Sequence, residues 1–428
     1  MEPREVLDLD EIDLSDLAFW ERPIEEREGA FRTLRRTDPR RWFAEPTSGI
    51  LGPGRGYYAL VRYDDVVEVS RHPERFCSSR GGTNIVDLPP TFLEFFGSMI
   101  NMDDPRHARL RRIVSPQFTP RRLAELRAGV ESAATEILDE VIEAGECDFV
   151  TDIAARLPLR VIVDLMGIPR SEERFIFDQT NLILGFTDEE YVPGQDPVQV
   201  MAAPLVGAQR LFDLVQALGE ERLRDPKDDL TTALVTATVD GERLSPQELG
   251  AFFVLLVVAG NETTRNAIAH GLVALTEHPD QRARWWADFE ALAPTAVEEI
   301  VRWATPVIHF RRTVTRDGVR LGDLELAEGD KVVMWYASAN RDEDVFDDPY
   351  RFDVGRQPND HVGFGGPGPH FCLGAHLARR EITVMFRELA RRIPDIEAVG
   401  EPQRLRSNFI NGIKHLPARW TPRRRQAA

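Results

Sequence analysis

Between Ser245 and Glu277 the chain carries a helical pattern with no internal stop, and few folds can house it. Ser245-Pro246-Gln247-Glu248 combines an N-cap serine, a proline at the first helical position and the glutamate of a capping box. At 1.5 Å per residue the pattern predicts a rod roughly 48 Å long, enough to cross most of the molecule. Ala251-Phe252-Phe253-Val254-Leu255-Leu256-Val257-Val258-Ala259 is apolar on every face, so that half is buried, and it is too short to span a membrane. Polarity then arrives abruptly at Gly260-Asn261-Glu262-Thr263-Thr264. A helix-weakening glycine, about 1 kcal/mol worse than alanine, and a carboxylate interrupt a buried helix. A packing glycine beside a solvated turn would account for this. So would a site where Ala259 and Gly260 let another group approach the backbone while Glu262 and Thr263 handle protons.

The rest of the chain surrounds that rod with more helix than sheet. From about Pro105 to Arg302 helical periodicity dominates, with Pro116, Pro120, Pro169, Pro246 and Pro279 as breaks or first-turn residues. Strand chemistry is confined to Gly56–Tyr63, ahead of a short helix at Asp64–Val69, and to the stretch after Pro306, where Arg312–Thr315, the Asp317-Gly318 turn and Lys331–Tyr336 favour sheet. The expectation is a mainly α fold with smaller β regions. No repeat or linker divides the 428 residues, so residues 1–428 are read as one domain, with 1–14 and 421–428 as peripheral tails. Subtracting 71 acidic from 53 basic side chains leaves −18, which argues against nucleic acid as a partner. The N-terminus lacks the basic and apolar parts of a signal peptide and no long apolar run follows, so a cytoplasmic protein without a transmembrane anchor is expected. Cys77, Cys147 and Cys372 are far apart and odd in number, which argues against a disulfide framework and a four-thiolate zinc site.

The densest chemical signal is Phe364-Gly365-Gly366-Pro367-Gly368-Pro369-His370-Phe371-Cys372-Leu373-Gly374, followed in helical register by Ala375-His376-Leu377-Ala378-Arg379-Arg380-Glu381. A thiol at a helix start has its pKa lowered by the helix dipole, and glycines let backbone N–H groups face the sulfur. Cys372 is therefore a candidate thiolate ligand, whereas Cys77 and Cys147 read as small buried hydrophobes.

This loop resembles the signature of the cytochrome P450 family, the haem-thiolate monooxygenases, with one extra residue between Phe364 and Cys372. The resemblance covers residues from about 15 to 420, and three further constellations join it. Ala259-Gly260-Asn261-Glu262-Thr263 is similar to the family's oxygen-binding segment, which makes Glu262 and Thr263 the acid–alcohol pair that manages protons. Glu299 and Arg302, three apart on one helix face, would alone be a solvated ion pair worth a few tenths of a kcal/mol. In the family that pair is buried and completed by an arginine, for which Arg356 is the best match and Arg351 the second. His107 and Arg111, with Arg312 and His370, match the groups that hold the two haem propionates, anions that are costly to bury unpaired. The implied cofactor is haem b, iron protoporphyrin IX, with Cys372 as the metal ligand and O2 as co-substrate.

Within the family the chain resembles the actinobacterial methyl-branched lipid omega-hydroxylases most strongly, through Gly97–His107, Leu255–Asn266 and His361–Gly366. That implies omega-hydroxylation of methyl-branched fatty acids, isoprenoids or sterol side chains, in a pocket that holds an unreactive methyl by shape. Candidate walls are Ile100, Phe253, Leu256, Val257, Ile308 and Phe409, with Ala259 and Gly260 beside the reacting group. No dinucleotide-binding turn or cysteine cluster is present, so electrons from NAD(P)H must arrive through a redox partner, read as ferredoxin and ferredoxin reductase. Arg106, Arg109, Arg112, Arg379 and Arg380 form a candidate basic patch for an acidic ferredoxin. A haem-thiolate peroxygenase or isomerase, or a haem-based ligand binder, is the alternative reading. The ligand binder would need the pocket and thiolate but not the Glu262–Thr263 pair.

Overall fold

A computed structural model of the chain describes residues 3–4, 8–46, 54–87, 98–119, 121–122, 127–239 and 242–425. The helix break read at Pro120 and Gly97 of the resembling segment Gly97–His107 lie outside the described residues. In chain order the elements that build the site are α1 (Ile24–Thr37), β1 (Trp42–Phe43), β2 (Tyr57–Leu60), α2 (Tyr63–Arg71), β3 (Phe76–Cys77), α3 (Arg106–Val114) and α4 (Arg127–Val141). They continue with α5 (Arg156–Met166), α6 (Glu173–Leu184), α7 (Pro197–Arg224), α8 (Pro246–Glu277) and α9 (Phe289–Ala304). The last are β4 (His309–Val314), β5 (Lys331–Trp335), α10 (Tyr336–Ala339) and α11 (Ala375–Arg392).

The rod is α8, and its start is built as the sequence predicts. Glu248 N donates to Ser245 Oγ at 3.1 Å and Ser245 N donates back to Glu248 Oε2 at 2.9 Å. Each half of α8 serves a different core. Phe252, Phe253, Val254 and Val257 pack with side chains of α3, α5, α6 and α7. Ala267, Ile268, Leu272 and Leu275 pack with α4, α9 and α11. At Gly271 an added Cβ would lie 2.6 Å from Phe386 Cζ, so the missing side chain is what lets α11 lie against α8. The polar interruption at residues 260–264 falls at the junction of the two cores.

Beside the helices lies a five-stranded sheet of order β1-β2-β5-β4-β3, antiparallel except for the parallel β2–β5 pair. Residues 57–60 are thus joined to residues 331–335 across most of the chain. Strand alternation sends Phe310 and Arg312 of β4 to the face opposite His309 and Arg311. The segment before Ser15, expected as a peripheral tail, instead buries Ile12 and Leu14 in a cluster with Trp20, Phe31 and Trp335. Two apolar side chains with a ready surface to cover outweigh the entropy of ordering a short segment. Residues 421–425 follow the fold's exterior, with Arg423 N donating to Ile142 O. No helix among the described residues is long and apolar enough to cross a membrane.

Candidate active site

One cavity, enclosing about 1570 Å³ of atom-free space with its mouth included, lies between the middle of α8 and the cysteine loop. It gathers residues from six distant parts of the sequence. Cys372 lies two residues before Gly374, the N-cap of α11, and its backbone N–H donates to Phe364 O at 2.9 Å. The glycines of the loop serve close approach to α2: a Cβ on Gly366 would lie 2.6 Å from Ser70 Oγ, and one on Gly368 would lie 2.2 Å from Ser70 O. The thiol faces the cavity. The sequence reading expected its pKa to be lowered, and the structure corrects this. Burial pushes the thiol up, against the downward pull of the Gly374 N–H and of Arg111 and Arg379.

His107, Arg111, Arg312 and His370 all line the same cavity as Cys372. The His107 and His370 rings stand 4.3 Å apart, and His370 Nε2 lies 3.1 Å from Ser78 Oγ. Arg111 donates to Phe371 O at 2.7 Å and Arg312 to Arg311 O at 2.8 Å, each using one nitrogen on the backbone. Burial first, then the neighbouring Arg312, His107 and Arg111, pushes His370 down to about 2, and burial pushes His107, Arg111 and Arg312 down as well. His107 Nε2 is buried without a hydrogen-bond partner. Four donors that oppose one another's charge, with an orphaned ring nitrogen among them, fit a ligand bearing carboxylates. Beside a cysteine ligand and an apolar chamber, that donor set fits haem.

The face that α8 turns to the chamber is set by helix period. Phe252, Leu255, Leu256, Ala259, Gly260, Thr263 and Thr264 follow one stripe at spacings of three and four. Thr263 Oγ1 donates to Ala259 O at 2.6 Å, at the chamber wall. Glu262 is not part of that wall. It is buried on another face of α8, ion-paired with Arg265, while Asn266 Nδ2 donates to its Oε1 at 3.4 Å and Arg265 in turn donates to Asn181 of α6. Its Oε2 has no hydrogen-bond partner. Gly260 faces α5 as much as the chamber, since a Cβ there would lie 2.7 Å from Ile162 Cδ1.

Of the expected walls, Ile100, Leu256, Ala259 and Gly260 line the chamber, whereas Phe253, Val257, Ile308 and Phe409 do not. Phe253 and Val257 point into the core around α7, being one position out of phase with the lining stripe. Ile308 belongs to the cluster on the far side of the sheet, and its N–H donates to Phe409 O. The Phe409 ring covers His309 and Phe310 from outside the chamber. Phe118, Leu255, Phe310 and Tyr336 are lining residues the sequence reading missed. Placing Ala259 and Thr263 at the site would have found Leu255 and Phe252 by helix period. Glu381, nine residues after Cys372, also lines the chamber, is 2% exposed, and burial pushes its pKa up to about 8.

Glu299 and Arg302 on α9 are completely buried, with two hydrogen bonds of 2.7 and 2.8 Å between them. Arg356 Nε joins Glu299 at 3.1 Å, and Arg351 contributes its carbonyl to both arginines. In the candidate basic patch, Arg106 and Arg112 are exposed, Arg109 is paired with Glu248, and Arg379 is paired with Glu298.

Comparison with known proteins agrees with this arrangement. Residues 291–392 match the family model described as Cytochrome P450. The chain is 51% identical over 416 residues to the methyl-branched lipid omega-hydroxylase of Mycobacterium tuberculosis, covering 96% of this chain and 95% of that one. It is 43% identical over 392 residues to the steroid C26-monooxygenase of Rhodococcus jostii, covering 90% and 80% respectively. Among solved structures, the Mycobacterium marinum cytochrome P450 CYP268A2 in complex with pseudoionone superposes with a TM-score of 0.91 at 42% identity, over 97% of this chain and all of that one.

Proposed function

This chain belongs to the cytochrome P450 family and is a haem-thiolate monooxygenase, and from that premise we propose that it hydroxylates the methyl-branched end of a long lipid. The observation that carries the substrate class is the chamber wall: Ile100, Phe118, Leu255, Leu256 and Phe310 offer hydrophobic grip and no directional polar contact. Relatives called an omega-hydroxylase and a C26-monooxygenase support oxidation at a chain end, and favour oxygen insertion over the peroxygenase, isomerase or ligand-binder alternative.

Haem b bound here supplies activation of O2 and insertion of one oxygen atom into a C–H bond, the second oxygen leaving as water with two electrons from NAD(P)H and two protons. The protein's part is to hold, orient and deliver. Cys372 ligates the iron through its sulfur, and His107, Arg111, Arg312 and His370 bind the two propionates. Thr263 presents its hydroxyl to the chamber, where it holds and passes a proton. Glu262 is ion-paired with Arg265 on another face of α8, so as a carboxylate it relays protons toward the chamber, taking one up and passing it on, only after leaving Arg265. Glu299, Arg302 and Arg356 fix α9 to the loop before Cys372 and thereby position the ligand. Ferredoxin and its reductase supply the electrons, with Arg106 and Arg112 as the exposed part of the docking face.

A methylene or methyl difference in such a pocket is worth about 1–3 kcal/mol, so a branched acid should be preferred over its straight analogue, though not absolutely. Regiochemistry should be stricter, because a displacement of about 1 Å at the reacting atom can cost on the order of a hundredfold in rate. Incubation of the reconstituted enzyme with matched branched and unbranched fatty acids, with the hydroxyl located by mass spectrometry, tests both points. Predominantly in-chain hydroxylation, or faster turnover of the unbranched acid, rejects the substrate assignment and leaves the monooxygenase intact.

A further inference from the structure

Tyr336, the first residue of α10, is 3% exposed and stands edge-on to Phe310 with ring centroids 6.0 Å apart. Its side chain lines the chamber beside Arg312, and its hydroxyl has no hydrogen-bond partner among the described residues. A buried phenol normally finds one. Burial pushes Tyr336 up to about 12, so the hydroxyl keeps its proton and is available as a donor. Arg312, the charged group closest to it in effect, cannot accept that proton, because a guanidinium has only donors. Among the described residues Arg312 itself uses only one nitrogen in a hydrogen bond, on the Arg311 carbonyl. Both side chains line the same cavity, and although the phenol oxygen is itself an acceptor, no hydrogen bond joins it to Arg312 among the described residues; an outside carboxylate accepts from both the guanidinium and the phenol.

We infer that Tyr336 is a fifth polar anchor for the cofactor, its hydroxyl donating to the haem propionate that pairs with Arg312. The inference rests on the haem reading above and assigns the carboxylate to the cofactor. A fatty-acid head group is the other possible source of that chemistry. The four anchors read from the sequence are all cationic or imidazole groups; Tyr336 adds a neutral donor, which strengthens the hold on the carboxylate without adding to the mutual repulsion of Arg111, Arg312 and the two histidines.

The test is the release of haem from ferric Tyr336→Phe and wild-type protein to excess apomyoglobin, each loaded either with iron protoporphyrin IX or with its dimethyl ester. Loss of one buried hydrogen bond to a charged group should speed release of the natural cofactor by roughly tenfold. With the esterified cofactor, whose carbonyl oxygens still accept a hydrogen bond but carry no charge, the ratio of the two release rates should shrink to about two- or threefold. Equal release of the natural haem overturns the inference, as does a rate difference of the same size with the ester, which would mark a packing role against Phe310. So does a substitution that leaves haem release alone and weakens only the binding of a fatty acid relative to its alcohol. The red-shifted Soret band of the ferrous carbon monoxide complex, recorded for both proteins, reports thiolate ligation separately and would be missing only if the haem-thiolate reading itself failed.

Discussion

At the scale of single residues, the chamber separates two neighbours that the sequence treats as a pair. Thr263 faces the cavity and Glu262 faces α6, because adjacent positions on a helix point about 100° apart. Thr263→Ala should consequently still bind haem and lipid but divert reducing equivalents into peroxide, measured as the ratio of peroxide to hydroxylated product. Unchanged coupling would remove Thr263 from proton handling. Glu381 carries a different prediction. Its folded pKa is raised from 4.5 to about 8 by burial, so over that window the unfolded chain has released a proton that the folded protein keeps. The penalty is absent below the unfolded pKa and grows as pH rises toward 8. Denaturant unfolding of the holoenzyme across the window should therefore show a fall in stability that Glu381→Gln flattens; parallel pH curves for the two proteins would contradict it. Neither the direction of Glu262 nor the isolation of Glu381 is legible in the sequence, since both depend on which helix lies alongside.

At the scale of elements, legibility follows how local the determining interactions are. The start of α8 is set by Ser245, Pro246 and Glu248 acting within one turn, and the helix ends where its periodicity ends. The phase of that helix is not local. Phe253 and Val257 are as apolar as Leu255 and Leu256, and only the packing of α7 on one side and the cavity on the other decides which pair lines the site. The α9 network is intermediate: the Glu299–Arg302 spacing shows the pair, while its burial depends on the loop from Pro349 to Arg356. Glu299 accepts hydrogen bonds from Arg302, Arg356, Asn359 Nδ2 and the Asp353 N–H. Removing it leaves two buried guanidinium groups uncompensated, so Glu299→Ala should cost about 3–5 kcal/mol in denaturant unfolding and yield mostly haem-free protein. A loss below about 1 kcal/mol, typical of an exposed pair, would show that the network contributes little.

At the scale of the whole molecule, the site is an assembly of parts that local pattern cannot bring together. Arg312 reaches the cavity because β4 lies beside β5, and β5 is placed by its parallel pairing with β2, some 270 positions earlier in the chain. His107 and His370 meet ring to ring although 263 positions separate them. The motifs identified the chemistry of these groups; the fold supplies their convergence on one chamber, lined by donors for carboxylates, a cysteine sulfur and an apolar stripe of α8. Such a chamber suits a haem-thiolate monooxygenase, and the proposed substrate is a lipid whose chain end is held there by shape. The most direct test is to incubate the enzyme with a methyl-branched fatty acid, NADPH, ferredoxin and its reductase under isotopically labelled dioxygen, and to follow the label by mass spectrometry. The account predicts one labelled oxygen atom per product, located on a terminal methyl of the branched end. A product that takes its oxygen from water, or turnover that proceeds without dioxygen, would contradict it.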